Sequence, residues 1–432
     1  MSRRPATRVS TGGKRSHAGA VDEDIRLVYS FYVTWHNIVM DPRRNPFAPG
    51  AGTPPPELAG REHLVERASI ALDRIRAGRS ARSMILYGLR GVGKTVLLST
   101  IRNSAEADGM IAVAIEAPEG RSLPGLLLPA LRTALLRLDR IKQAGVAVTR
   151  ALRAIAGFAK LKLSYGDISV ALDVDPEPGL ADSGDLDADL ADLIEAIGEA
   201  ARERSSAIVL FIDELQYVPE AQLAALISAL HRAAQRSLPV TMVGAGLPPL
   251  LGQMGEAKSY AERLFEFVPI GPLDAVAASA AIRLPVEREE EQISVSAVAA
   301  IVHATQGYPY FLQEWGKHSW DVADTSPITA DDVAIAGLSA VAELDASFFR
   351  VRFDQLAPAE KRYLRAMADL GPGPHRSGDI SDALGVKVSS VAPTRNSLIR
   401  KGMLFSPAHG DTAFTVPLFD DFLRRVMPRP MG

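Results

Sequence analysis

"GLRGVGKT" occupies Gly88 to Thr95, between the apolar run "SMILY" (Ser83–Tyr87) and the helix-like run "VLLSTIR" (Val96–Arg102). The pattern GxxxxGK[ST], placed after a strand and before a helix, is a phosphate loop. Gly88, Gly91 and Gly93 let the backbone fold back so that its N–H groups face phosphate oxygens, and the following helix adds its positive end. The expected cradle is Gly88, Leu89, Arg90, Gly91, Val92, Gly93, Lys94, Thr95 and Val96. Lys94 is placed to reach the β- and γ-phosphates and the Thr95 hydroxyl to ligate Mg²⁺, so ATP and Mg²⁺ are the expected cofactors.

A loop of this kind needs an acid at the end of an apolar strand to hold the metal. "IVLFIDELQ" (Ile208–Gln216) supplies one. Asp213 follows the apolar Val209–Ile212 and is the expected metal partner beside Thr95. Glu214 is placed to polarise the attacking water. Lys94 and Glu214 are thus the catalytic candidates, and the group removed would be the γ-phosphate.

The rest of the composition narrows the setting. The chain has 432 residues, a formal charge of −3 and no cysteine. The length suits two or three domains. Without cysteine there is neither a disulfide framework nor a thiolate zinc site, which fits a reducing cytoplasm. The longest apolar stretch, "LVYSFYVTWHNIVM" from Leu27, contains His36 and Asn37 and falls short of the ~20 residues of a membrane span. The near-neutral balance gives no global argument for nucleic acid, so any such contact must be local.

Residues 1–44 read as a basic, disordered N-terminal segment, with Arg3, Arg4, Arg8, Lys14 and Arg15 near its start. The change of character at Met40 makes that residue a candidate start. Strand candidates Met84–Tyr87, Ile111–Ile115, Ile208–Ile212, Val240–Val243 and Phe265–Ile270 alternate with helical patterns. Such apolar strands predict a parallel sheet covered on both faces. The expected layout is an α/β phosphate-loop domain over 45–273, with an insertion at about 144–187 that includes a hairpin over 161–174. A helical segment follows over 274–351, with Trp315 and Trp320 in its core. The last unit, 352–432, reads as three helices and a small hairpin, the order of a winged helix. Pro393 is tolerated in its third helix if Ser389 or Ser390 is the cap.

"ELAGRE" (Glu57–Glu62), the phosphate loop, "LFIDE" (Leu210–Glu214), "VGAGLP" (Val243–Pro248) and "GYPYFL" (Gly307–Leu312) occur in this order before the winged-helix pattern. The chain thereby resembles the AAA+/STAND-type ATPases of prokaryotes, and among them those likened to origin-recognition initiators. The likeness covers roughly Asn45 to Pro428. It implies an ASCE sheet, with one strand between the phosphate-loop strand and the "DE" strand, and a helical lid over the nucleotide. It also implies that Gly60, Arg61 and Glu62 lie near the adenine, where they would equally serve as a helix start. Pro309 would touch the base or simply begin a helix. Arg263, after the fourth strand, matches the place of an arginine finger acting in a neighbouring copy, although an arginine on a helix is more often solvated. Two departures stand out. The fourth strand, "VTMVGAG", ends in Gly244, Ala245 and Gly246, with Thr241 its only polar residue. No arginine stands beside Pro309.

In the third helix of the last unit, Ser389, Ser390, Thr394, Arg395, Asn396 and Arg400, with Lys401, suit contacts to duplex DNA. The wing offers only His409 and the acidic Asp411, and such modules also bind proteins. The expected function is an ATP hydrolase that couples nucleotide state to the winged helix, acting on DNA or a protein partner, with nucleotide-dependent self-assembly if Arg263 is a finger. The competing class is a slow or non-hydrolysing nucleotide switch or scaffold.

Overall fold

The computed structural model describes residues 40–50, 52–141, 145–161, 175–408 and 410–428. Its centre is a sheet of five parallel strands: β1 (Ser83–Tyr87), β2 (Ile111–Glu116), β3 (Ile208–Asp213), β4 (Val240–Gly246) and β5 (Phe265–Pro269). Their spatial order is β2-β3-β4-β1-β5, so β4 alone separates the strand that feeds the phosphate loop from the strand that ends in Asp213. Tyr87 pairs in register with Gly246 and Pro269, and Glu116 with Asp213, which aligns the carboxyl ends along one edge. That edge is where open parallel sheets bind ligands.

The strands are apolar throughout because both faces are covered. Met84, Leu86, Val209 and Phe211 face one side, against helices Glu62–Arg76 and Lys94–Ala107. Ile85, Ile208, Leu210 and Ile212 face the other side, against helices Leu123–Ile141, Val146–Leu161, Leu186–Glu203 and Glu220–Gln235. The acidic stretch before Leu186 is a built cap: buried Asp189 accepts the N–H groups of Ser183 and Gly184 at 2.8 and 2.9 Å. Residues 162–174, read as part of a hairpin, and His409 lie outside the described residues.

Four helices follow the sheet: Ala275–Arg288, Val295–Thr305, Pro309–Val322 and Ala330–Leu344. Trp315 and Trp320 are buried among them, as expected. Residues 40–44, expected to end the disordered tail, are instead packed on this lid. Met40 is buried, and the Trp320 indole N–H donates to the Asp41 carbonyl at 3.0 Å. Phe47 continues the contact, since a Cβ on Gly316 would lie 2.7 Å from its ring.

A π-helical turn, Asp345–Phe349, leads from the lid into the C-terminal module. The Phe349 ring lies 5.3 Å from Phe422, and Phe353 lies 5.6 Å from the same ring. These contacts make lid and module share one apolar core. The module contains helices Pro358–Asp369, Ser377–Leu384 and Val388–Arg400, as the sequence suggests. The expected hairpin joins a third strand, giving an antiparallel sheet of β6 (His375–Arg376), β7 (Leu404–Phe405) and β8 (Asp411–Phe414), with β8 central. One expectation is corrected here. The third helix is capped by the extended Lys387, and neither serine caps it. Pro393 therefore sits inside the helix, just past the first turn. The position is tolerated because the residue is exposed and the Ser389 carbonyl it leaves without a donor belongs to an exposed residue.

Candidate functional site

A cavity of about 430 Å³ opens at the carboxyl edge of the sheet, between the phosphate loop and the lid. That volume lies in the range of small-molecule sites. Its floor is Arg90–Val96, with Glu116, Asp213 and Glu214 at one end. Local sterics explain two of the loop glycines. A Cβ on Gly88 would sit 2.0 Å from the Ile270 carbonyl oxygen, so only glycine allows that crossing. Gly93 caps the helix Lys94–Ala107 with φ +88°, a left-handed conformation that glycine adopts without steric cost.

Lys94 is buried, and its Nζ donates to the carbonyls of Gly88 at 2.9 Å and Leu89 at 2.8 Å. Burial pushes its pKa down to about 8, against the opposing pull of Glu214 and Asp213 and with the help of Arg90. The Thr95 hydroxyl donates to Asp213 Oδ2 at 2.7 Å. A hydroxyl and a carboxylate side by side, with open cavity beyond, fit Mg²⁺, which takes one or two protein oxygens and completes its shell with phosphates and water. Among the described residues no group of three or more acidic, His or Cys side chains forms a ready-made metal cage.

The sequence did not expose three further elements of the cleft. Arg352, just beyond the lid, lines it together with Tyr310 and Phe348. Its guanidinium lies 4.1 Å from the Phe348 ring centroid and donates to the Phe348 carbonyl. Burial, and next the charge of Arg90, push its pKa down to about 10. Tyr310 stacks on Phe348 at 4.9 Å, and its N–H donates to Gly91 at 3.2 Å, so the lid helix grips the loop directly. The C-terminal module reaches the loop as well. The Arg90 N–H donates to the Thr415 carbonyl at 3.1 Å, and the Arg90 guanidinium to the Tyr217 hydroxyl at 2.9 Å.

Of the remaining candidates, Arg61 and Pro309 line the cavity. Arg61 also donates to the Gly271 carbonyl. Pro309 begins its helix, so the geometry accommodates both of its readings. Arg263 is exposed on the short helix Ala261–Leu264 and is not brought to the cavity. In the C-terminal module, Ser389, Ser390, Asn396 and Arg400 are exposed and Thr394 is half-buried. Arg395 is engaged inside the module: it donates to Thr412 Oγ1 and Ser406 Oγ, both at 2.7 Å, and to the Asp411 carbonyl. Thr241 lies at the start of β4, far from the carboxyl edge, and bonds Ser83 at 3.0 Å.

Fold and site define a phosphate-loop nucleotide-binding protein of the AAA+ type. Residues 57–243, less than half of the chain, match the family model "AAA ATPase domain". Residues 346–423 match a "Domain of unknown function (DUF8462)", a stretch that includes both Phe348 and Arg352. No curated protein matches the sequence. Among solved structures, the Walker-type ATPase PABY2304 of Pyrococcus abyssi is similar in fold. It has a TM-score of 0.52 and 16% identity, covering 86% of this chain and 97% of that one. Two weaker likenesses are the DNA-bound Orc1 protein of Aeropyrum pernix and the Thermotoga maritima RuvB Holliday junction branch migration motor. The first has a TM-score of 0.42 and 14% identity over 85% and 93% of the two chains. The second has 0.41 and 16% over 82% and 92%. Among the described residues no helix is long and apolar enough to cross a membrane.

Proposed function

We propose that the chain is a Mg²⁺-dependent ATPase whose nucleotide state is transmitted to its C-terminal module. The observation that carries this reading is the Arg90 N–H donated to the Thr415 carbonyl, which joins the module to the loop that would hold phosphate. Arg352 adds a second link, a guanidinium from the edge of the module inside the cleft.

In this account Lys94 leaves the carbonyls of Gly88 and Leu89 to hold the β- and γ-phosphate oxygens. Thr95 and Asp213 would hold Mg²⁺, which neutralises the charge on those oxygens. Glu214 accepts a proton from water as the water oxygen bonds to the γ-phosphorus. The bond to the bridging oxygen breaks, and ADP and inorganic phosphate leave. Arg352 stabilises charge on the γ-phosphoryl oxygens. Positioning and charge then supply most of the acceleration.

Helix order and the β6-β8-β7 sheet support reading the C-terminal module as a winged helix. Its exposed Lys387, Ser389, Ser390, Asn396 and Arg400 form the surface for duplex DNA or a protein partner. Arg263 would act on the cleft of a second copy, giving specific activity that rises with protein concentration. A second reading, a switch that holds nucleotide without useful turnover, is favoured by the engagement of Lys94 with two loop carbonyls. The coupling is tested by amide hydrogen exchange in Glu214→Gln with and without Mg-ATP. Changed protection across 402–415 supports it. Protection that changes at the phosphate loop alone refutes coupling while leaving nucleotide binding intact.

A further inference from the structure

The edge of the sheet at the cleft is uneven. β3 ends in Asp213 and the loop beside β1 carries Lys94, but β4 ends in Gly244, Ala245 and Gly246 with no polar side chain. The space beside Gly246 is filled from elsewhere. Gln216, in the 3₁₀ turn Leu215–Tyr217, brings its amide there. Its Oε1 accepts the N–H of Leu247, the first residue after β4, at 2.9 Å. Its Nε2 donates to Glu214 Oε2. A Cβ on Gly246 would lie 2.8 Å from that Oε1, so the glycine makes room for the amide.

We infer that Gln216 is the positioning residue for the Glu214 carboxylate, supplying from a neighbouring turn the polar group that the end of β4 lacks. The backbone N–H of Leu247 can only donate, so it fixes which arm of the amide is the oxygen and turns the NH₂ toward Glu214. Glu214 needs such a hold. Its φ is +56°, in the left-handed region, where its N–H donates to Asp213 Oδ1 at 2.8 Å. That bend brings Glu214 to the cavity lining. A neutral amide can then fix the carboxylate by one donated bond without cancelling the charge a general base requires, as an arginine or lysine would. Gln216 is not among the cavity-lining residues, so it acts through Glu214.

This inference rests on the reading of Glu214 as the base, and the test separates the two. Turnover and ATP dissociation constants are measured on the full chain for the wild type, Gln216→Met, Glu214→Gln and the double variant. Methionine keeps the volume and removes the amide. Gln216→Met is expected to lower kcat on the order of 10–100-fold, the scale of a misplaced catalytic group. The dissociation constant should stay within about twofold, and the variant should add nothing in the Glu214→Gln background. Gly246→Ala, which crowds the amide while leaving Gln216 in the sequence, should lower kcat in the same way and decides the question if Gln216→Met does not fold. Wild-type turnover in Gln216→Met, or a loss that multiplies in the double variant, overturns the inference alone. No turnover in the wild type overturns both it and the hydrolytic reading.

Discussion

β3 and β4 run side by side and reach the same edge, but they end in opposite ways. β3 ends in Asp213, held by the Thr95 hydroxyl, and Glu214 follows directly, so that two carboxylates line the cleft there. β4 finishes in small residues whose missing side chains leave room for others. A Cβ on Gly244 would lie 2.3 Å from Leu215 Cδ1, and one on Gly246 would meet Gln216 and Leu250. One strand brings charge and its neighbour brings space. The turn after β3 uses that space to fold back across β4, which fixes the direction of Glu214.

Removing the charge at the β3 end should have the largest effect. Asp213→Asn is expected to weaken Mg-ATP affinity or turnover by roughly 100-fold, as loss of a charge-assisted contact at a buried site does. An equal dissociation constant and kcat in the variant would show that β3 contributes no metal partner.

The same charge bears on pH. Asp213 and Glu214 favour the Lys94 ammonium against its burial, which leaves a pKa of about 8 in the free protein. The ammonium is present below that value and is lost as pH rises through it. In the proposed mechanism phosphate binds the ammonium, so ATP affinity is expected to be level below about 8 and to fall above it, by up to tenfold per pH unit. In Asp213→Asn one supporting charge is gone, and the fall should begin at lower pH. Titration of affinity against pH, with Lys94→Met as the flat control, checks both statements.

At the β4 end the expected effects are steric. Gly244→Ala should destabilise the fold by roughly 1–3 kcal/mol through overpacking against Leu215 and Ile85. A thermal melt reads this, and an unchanged midpoint would mean that Leu215 shifts freely. The smallest effect belongs to the far end of β4. Thr241→Val removes the buried bond to Ser83 and should cost about 1 kcal/mol with kcat unchanged. A loss of turnover there would mean that the two ends of the strand are coupled.

The contrast also explains what the sequence reveals. The phosphate loop and "DE" are contiguous, and each is read by its place relative to one strand, so the cleft floor was legible. The five strands were legible from apolar runs that need no partner to be recognised. Gln216 stands in plain view in "IDELQ", but its role depends on where β4 ends, which is a property of the folded sheet. Arg352 reaches the cleft beside Phe348, and Thr415 reaches the phosphate loop at Arg90, by tertiary packing that no local pattern encodes. The two-residue strand β6 was too short to signal. The last helix, Phe419–Val426, is not among the three helices read from the sequence, although Phe419, Phe422, Leu423 and Val426 recur at helical spacing, three of them buried. Pro393 was misplaced because serines are favoured caps, whereas Lys387 opens the helix through its extended backbone.

The most direct measurement of the central claim is Mg-ATP hydrolysis by the purified chain beside Glu214→Gln, with ATP binding measured in both. Both are expected to bind ATP, and turnover in the variant to fall by about 10²-fold or more. Equal turnover in the two, or binding without turnover in either, would contradict the assignment of the β3 end as the hydrolytic centre.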